Sequence, residues 1–416
     1  MARDSGEQRG PRRGTALDGP RRDVRPDRPR NIGGPARGPR VPLADGRGLP
    51  ASGGERSGGP PRSAERVFVI TQPGWAFATL AELRGMGIGA YVDLLHRDST
   101  LVMDSSQELV RTRLKTAADA YGLVVSSGPR GQWDAARGLA QALRQMPPQQ
   151  FQPRLWHWLM QTRRTRAANY SVGSEVWGET GVHRRDLGQA VRNAVRAAFP
   201  RWREQPAGGM RLLCKADTQA ALMGVQLYGN LAEHGEIDEG RPGSLREHLA
   251  CGLLTVAGVQ PGEAVLDPFM GTGTILRVAA QVYDAAACMG AEVDRTAFRV
   301  AEGRVPPEQS ELRFGAFDAL DPEALPEGTR LVSNLPFGVR FAQVETERLL
   351  AFLRAIRPKL SGLALLMGRE QGEKVASALR LRSKNVLVLG QPASVVYGDP
   401  QVRSAGPVRS VDRTRG

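Results

Sequence analysis

The sequence predicts an α/β protein: an open, mostly parallel sheet covered by helices on both faces, preceded by smaller α+β units. Three observations carry that reading. From residue 263 onward, strand-like and helix-like runs alternate along the chain. Between residues 66 and 229 such runs recur in β-α-β-β order instead. The first 65 residues have the composition of neither.

Residues 1–66 hold 15 arginines against 8 acidic residues and almost no large apolar side chains. Such a segment cannot bury enough surface to offset its ordering entropy, so residues 1–65 are expected to be a disordered tail. Acids interleave with the arginines and no amphipathic period runs through them, which argues against a transit peptide. Order begins at RVFVITQPG (66–74), a strand, followed by a helical pattern over 75–87 and strand-like runs on either side of His96-Arg97-Asp98. Further helical patterns are read at 107–121 and 133–145, closing an α+β unit over 66–145.

A second unit, 146–233, takes NYSVGSEVWG (169–178) as strand, 184–198 as helix, and RLLCKADT and LMGVQLYG as strands. On that helix Leu187, Val191, Ala194, Val195 and Ala198 share one arc, with Arg185, Arg192 and Arg196 opposite. The arginine side reads either as a solvated face or as a surface that tracks phosphates. Most of the tryptophans, all of them in this half, are expected in the core. HGEIDEGRPG (234–243) is a polar, glycine-rich linker, and S-L-R-E from Ser244 reads as a capping box opening a helix. The alternating domain then spans 244–400, and 401–416 is a tail.

The net charge of +14, nearly all from arginine, suits a polyanionic partner. Cys214, Cys251 and Cys288 are far apart with no C-x-x-C, and the five histidines show no ligand spacing, so neither disulfides nor a metal is expected. No apolar run reaches membrane length and no signal-peptide pattern opens the chain, so a cytoplasmic protein without a membrane partner is expected, acting as a monomer.

EAVLDPFMGTGTIL (263–276) is a strand feeding a glycine-rich turn and a helix, whose Gly271 and Gly273 let the backbone approach a ligand. A dinucleotide fingerprint wants a third glycine where Leu276 stands, and Asp267 would repel a pyrophosphate. An acid there better suits a ligand with a cationic end. Glu292 ends the next strand, 21 residues after Gly271, the spacing at which a carboxylate takes a ribose diol. Asp294 reads as the cap of the following helix. Asp318 ends the third strand, where it can accept from an adenine amino group. The fourth strand runs into Asn334, Leu335, Pro336 and Phe337. An aromatic amine is a poor nucleophile because its lone pair is delocalised. Acceptors at Asn334 and at the Leu335 carbonyl can draw it toward tetrahedral while Phe337 stacks on the base and Pro336 stiffens the loop. Together these residues read as an S-adenosyl-L-methionine site beside a methyl-acceptor pocket.

LDPFMGTGT, GAEVD, FDAL and SNLPFG resemble the class I methyltransferases that modify exocyclic amino groups. With the upstream units, residues 66–400 resemble the THUMP-domain tRNA guanine-N2 methyltransferases. The resemblance implies a Rossmann-like catalytic domain after a ferredoxin-like unit (66–145) and a THUMP-like RNA-binding unit (146–233). It implies cofactor contacts from Asp267, Phe269, Gly271, Gly273, Thr274, Glu292, Asp318 and Asn334, and catalysis by Asn334, Pro336 and Phe337. Arg185, Arg192 and Arg196 become the expected RNA contacts. The more familiar motif is N-P-P-F/Y; Leu335 replaces its first proline, which shifts the expected base toward guanine. Guanine-N2 or adenine-N6 methylation of rRNA, and a non-catalytic RNA-binding protein, are the alternatives left open.

Overall fold

The computed structural model describes residues 66–88, 93–95, 99–104, 113–164, 168–206, 209–228, 245–337 and 344–399. All lie within one unit of the chain, 59–416. Both expected tails, the linker, Ser244 and His96–Asp98 fall outside them.

The N-terminal half contributes strands β1 (Arg66–Ile70), β2 (Asp93–Leu95), β3 (Thr100–Asp104), β4 (Asp119–Ser127), β5 (Asn169–Val176), β6 (Arg203–Glu204), β7 (Met210–Ala216) and β8 (Ala221–Tyr228). Its helices are α1 (Ala76–Gly85), α2 (Ala135–Gln145), α3 (Pro148–Gln161) and α4 (Arg184–Ala198). The strands form one sheet, β2-β3-β1-β4-β8-β7-β5-β6, in which the antiparallel β4–β8 pair joins the two segments read separately from the sequence. One face packs under α2, α3 and α4 in a continuous core that includes Leu139, Phe151, Trp158, Leu187 and Val191. The apolar arc read on α4 is buried at every one of its five positions.

Two expectations fail here. The helical pattern at 107–121 ends in strand β4, and Lys115 and Thr116 ahead of it are held by Glu82 of α1, whose carboxylate accepts from their backbone N–H groups at 2.7 and 2.9 Å. β4 is central and buried on both faces, so it lacks the period-two alternation of a half-exposed strand. The tryptophans divide: Trp75 and Trp158 are buried, Trp177 and Trp202 half-buried, and Trp133 and Trp156 exposed.

The C-terminal half follows the predicted alternation: α5 (Glu247–Ala257), β9 (Ala264–Asp267), α6 (Thr274–Tyr283), β10 (Ala287–Glu292), α7 (Arg295–Glu302), β11 (Ser310–Phe314), β12 (Thr329–Asn334), α8 (Thr346–Ile356), β13 (Leu360–Gly368), α9 (Arg369–Leu379), β14 (Arg382–Val388) and β15 (Gln391–Gly398). Its sheet runs β11-β10-β9-β12-β13-β15-β14, parallel from β11 to β13, with β15 antiparallel to both neighbours. Successive strand residues enter opposite cores. Val265, Cys288 and Val332 face α5 and α6, whereas Leu266, Met289 and Leu331 face α8 and α9. Burial on both faces explains the unbroken apolar runs that made these strands legible. α5 starts at Glu247 with no side-chain cap on its first turn. Trp75 shares the α5 core, and Lys115 donates to the Val282 carbonyl (3.0 Å) from above the Tyr283 ring, so the two halves pack together.

Candidate active site

Strand order reverses direction in the chain between β9 and β12, and open α/β sheets bind ligands at the carboxyl ends of strands at such a point. Asp267 ends β9 there, 1% exposed. Its Oδ1 accepts from Ser333 Oγ at 2.5 Å and from the Phe269 N–H at 3.1 Å. Burial pushes its carboxyl up to about 7 and Glu292 adds to the rise, against the pull of those two hydrogen bonds.

The turn after Asp267 needs its glycines. Gly271 and Gly273 have φ of +54° and +78°, in the left-handed region. A Cβ on Gly273 would lie 3.0 Å from Ala301 Cβ, so this glycine closes the turn against α7. A Cβ on Gly271 would meet nothing within 4 Å, so that glycine borders open space. Thr274 begins α6, bringing the free amides of a helix start to the same place. Glu292, at the end of β10, grips the turn: its carboxylate accepts from the N–H groups of Gly271 (2.9 Å) and Asp294 (2.7 Å). A carboxylate has about four acceptor positions, so room is left for a diol. Asp294 caps α7 as expected, accepting from Ala297 N at 2.7 Å.

Asn334 ends β12, half-buried, beside Ser333. Leu335 is 1% exposed and its N–H donates to the Leu366 carbonyl at 2.9 Å. A proline there would lose both that bond and the buried side chain, which accounts for the departure from N-P-P-F. Pro336 and Phe337 are half-buried, and Phe337 packs onto the core under α5 and α6.

Asp318, expected at the end of the third strand, lies past β11 (which ends at Phe314) on a short 3-10 turn, Phe317–Ala319, its two oxygens accepting from Nε and Nη2 of Arg348 at 2.6 Å each. That pair holds its carboxyl below the ordinary range. Phe317, not singled out from the sequence, packs against Phe269 in a tilted pair with ring centroids 4.7 Å apart and lies under the Arg348 guanidinium. Ser333 was also passed over; its signal was a lone hydroxyl inside an apolar strand, in line with Asp267. Arg185, Arg192 and Arg196 lie elsewhere, on α4. Arg185 is exposed, Arg192 is tied to Glu204 at 2.6 Å, and Arg196, 60% exposed, lies 3.7 Å from the other oxygen of the same carboxylate. Among the described residues no cluster could hold a metal ion, and no helix is long and apolar enough to cross a membrane.

Residues 237–387 match the family described as RMKL-like, methyltransferase domain. A tRNA (guanine(6)-N2)-methyltransferase of Thermus thermophilus is 29% identical over 184 residues, 43% of this chain and 54% of that protein. The chain thus spans about half the length of the curated relative it matches. Among solved structures, TrmN from Thermus thermophilus aligns with a TM-score of 0.59 at 22% identity, over 80% of this chain and 99% of that one. SMU.472, solved as a complex with SAH, aligns at 0.56 with 12% identity, over 81% and 98%. At these identities the structures establish a shared fold that includes the N-terminal half. The C-terminal half of this chain is thus similar, over residues 237–387, to the RMKL-like methyltransferase domains.

Proposed function

We propose that this protein transfers a methyl group from S-adenosyl-L-methionine to the exocyclic N2 amine of guanine in tRNA. The observation that carries the proposal is the meeting of two strand ends. The glycine turn after β9 and the Asn-Leu-Pro-Phe loop after β12 adjoin through Asp267 and Ser333. The residues fit the cofactor: open space borders Gly271, a buried acid suits a cationic end, and Glu292 suits a ribose. Asp267, Phe269, Gly271, Gly273, Thr274 and Glu292 would hold it; Asp318 would serve its adenine only by sharing its carboxylate with Arg348. When bound, the cofactor supplies an electrophilic methyl. The Asn334 carboxamide and the Leu335 carbonyl accept the hydrogens of the incoming amine and aim its lone pair, while Phe337 supports the base. The reading is supported by the guanine-N2 activity named for the Thermus relative.

In this reading 66–145 is a ferredoxin-like unit and 146–233 a THUMP-like one, joined through β4 and β8, and together they bind RNA for a monomeric cytoplasmic enzyme. Mass spectrometry of nucleosides from tRNA and rRNA, with and without the gene, tests the assignment. Loss of N2-methylguanosine from tRNA alone is expected, and loss of N6-methyladenosine or of an rRNA mark would overturn it.

Glu292→Ala removes both the grip on Gly271 and the proposed ribose acceptor. It should weaken S-adenosylhomocysteine binding by about 1–3 kcal/mol in calorimetric titration. Unchanged affinity would remove Glu292 from the site. On α4, Arg185→Ala with Arg196→Ala should lower the salt dependence of RNA affinity by roughly one to two log units per log unit of salt. Arg192→Ala should change that slope less, since Arg192 is the arginine held at 2.6 Å by Glu204, with Arg196 at 3.7 Å and 60% exposed. A slope unaltered in the double variant would place the RNA surface elsewhere.

A further inference from the structure

β9 and β12 are paired only at Arg330↔Val265 and Leu331↔Leu266. Beyond that point each strand end turns to its other neighbour, β9 reaching Gly290↔Asp267 on β10 and β12 reaching Asn334↔Leu366 on β13. The sheet therefore parts between the cofactor turn and the acceptor loop. Across the parting runs a side-chain bond, from Ser333 Oγ to Asp267 Oδ1 at 2.5 Å. Ser333 is 0% exposed and Asp267 1%.

We propose that Ser333 is a positioning residue that takes over where the backbone ladder stops, holding the acceptor loop in register with the cofactor turn and keeping Asp267 in its charged, acceptor form. The proposal rests on the function given above. Ser333 adjoins Asn334, so its hydroxyl sets the depth at which the Asn334 carboxamide meets the pocket. It also donates to the ionised carboxylate, which favours that form against burial. Among the described residues, Ser333 is the one side chain that donates to Asp267. Glu292 on β10 pushes the other way, Arg330 on β12 is engaged by Glu263, and Arg277 on α6 is engaged by Glu247. The Phe269 N–H is the remaining donor.

The test is the pH dependence of S-adenosylhomocysteine affinity, measured by calorimetry on the full chain, together with the pH profile of methyl transfer. In the parent protein affinity should fall as pH drops through about 7, as Asp267 takes up a proton. In Ser333→Ala this acid limb should move up by about one pH unit, leaving turnover depressed roughly fivefold at pH 7 and largely recovered at pH 9. Ser333→Thr, which keeps the hydroxyl, should restore the parental limb. Ser333→Cys, of similar volume with a weak donor, carries the same expectation as alanine should the alanine variant fail to fold. A loss equal at every pH, or an unmoved acid limb in a folded variant that binds S-adenosylhomocysteine, overturns the role of Ser333 alone. Failure of the parent protein to bind S-adenosylhomocysteine overturns the functional reading with it.

Discussion

Asn334→Ala should bind S-adenosylhomocysteine and tRNA almost as the parent does, yet lose about 10²–10³-fold in turnover. The backbone that carries Asn334 has anchors of its own. It is held by pairing with Leu366 on β13 and by the next residue's N–H, which donates to the Leu366 carbonyl at 2.9 Å. Truncation should therefore leave the loop in place and remove only the carboxamide. An acceptor that engages the amine chiefly as its lone pair is drawn out acts in the transition state, so kcat and kcat/KM should fall together. Phe337→Ala should differ, raising KM for RNA as well, because a stacked base is held in the ground state too. Single-turnover kinetics with the two variants separates these cases. Near-parental turnover in Asn334→Ala would mean that the loop after β12 does not orient the acceptor.

The parts legible in the sequence are those where local chemistry and global fold demand the same residues. Strands β9, β10, β12 and β13 are buried on both faces and read as apolar runs, and α4 begins and ends where its pattern predicts. Asp267, Gly271, Glu292 and Asn334 were visible because each stands at a strand end or turn where an apolar run breaks. What escaped depended on partners distant in sequence. β4 is a strand because β1 and β8 flank it, and nothing local to Asp119–Ser127 announces that. Arg348 lies thirty residues from the Asp318 it grips, and Ser333 gains its meaning only when β12 lies beside β9. Arg192 shares a helix face with Arg185 and Arg196, and Glu204, from a strand that no pattern marked, pairs with Arg192 at 2.6 Å and with Arg196 at 3.7 Å.

Asp267→Asn should make the ligand-free protein more stable at pH 8 while abolishing most of its affinity for S-adenosylhomocysteine. The carboxyl titrates near 7 in the folded chain against an ordinary value of 3.8. A group whose folded pKa is raised favours folding fully only below its unfolded value. That contribution is lost as pH rises, and the loss is complete once the pH passes about 7. Above that pH the buried charge costs on the order of 4 kcal/mol, an upper figure given relaxation of the site. Asparagine keeps an oxygen for Ser333 Oγ and the Phe269 N–H but carries no charge at any pH, so the cost disappears. Thermal unfolding should show a midpoint about 4 °C or more above the parent at pH 8, with the gap closing as the pH falls toward 4. Saturating S-adenosylhomocysteine should reverse the order, since ligand stabilisation grows with affinity and the variant has lost the charge that meets a cationic ligand. A variant less stable than the parent at pH 8 would show that Asp267 is not a strained, uncompensated charge. One that binds S-adenosylhomocysteine at parental strength would show that the charge serves something other than the methyl donor.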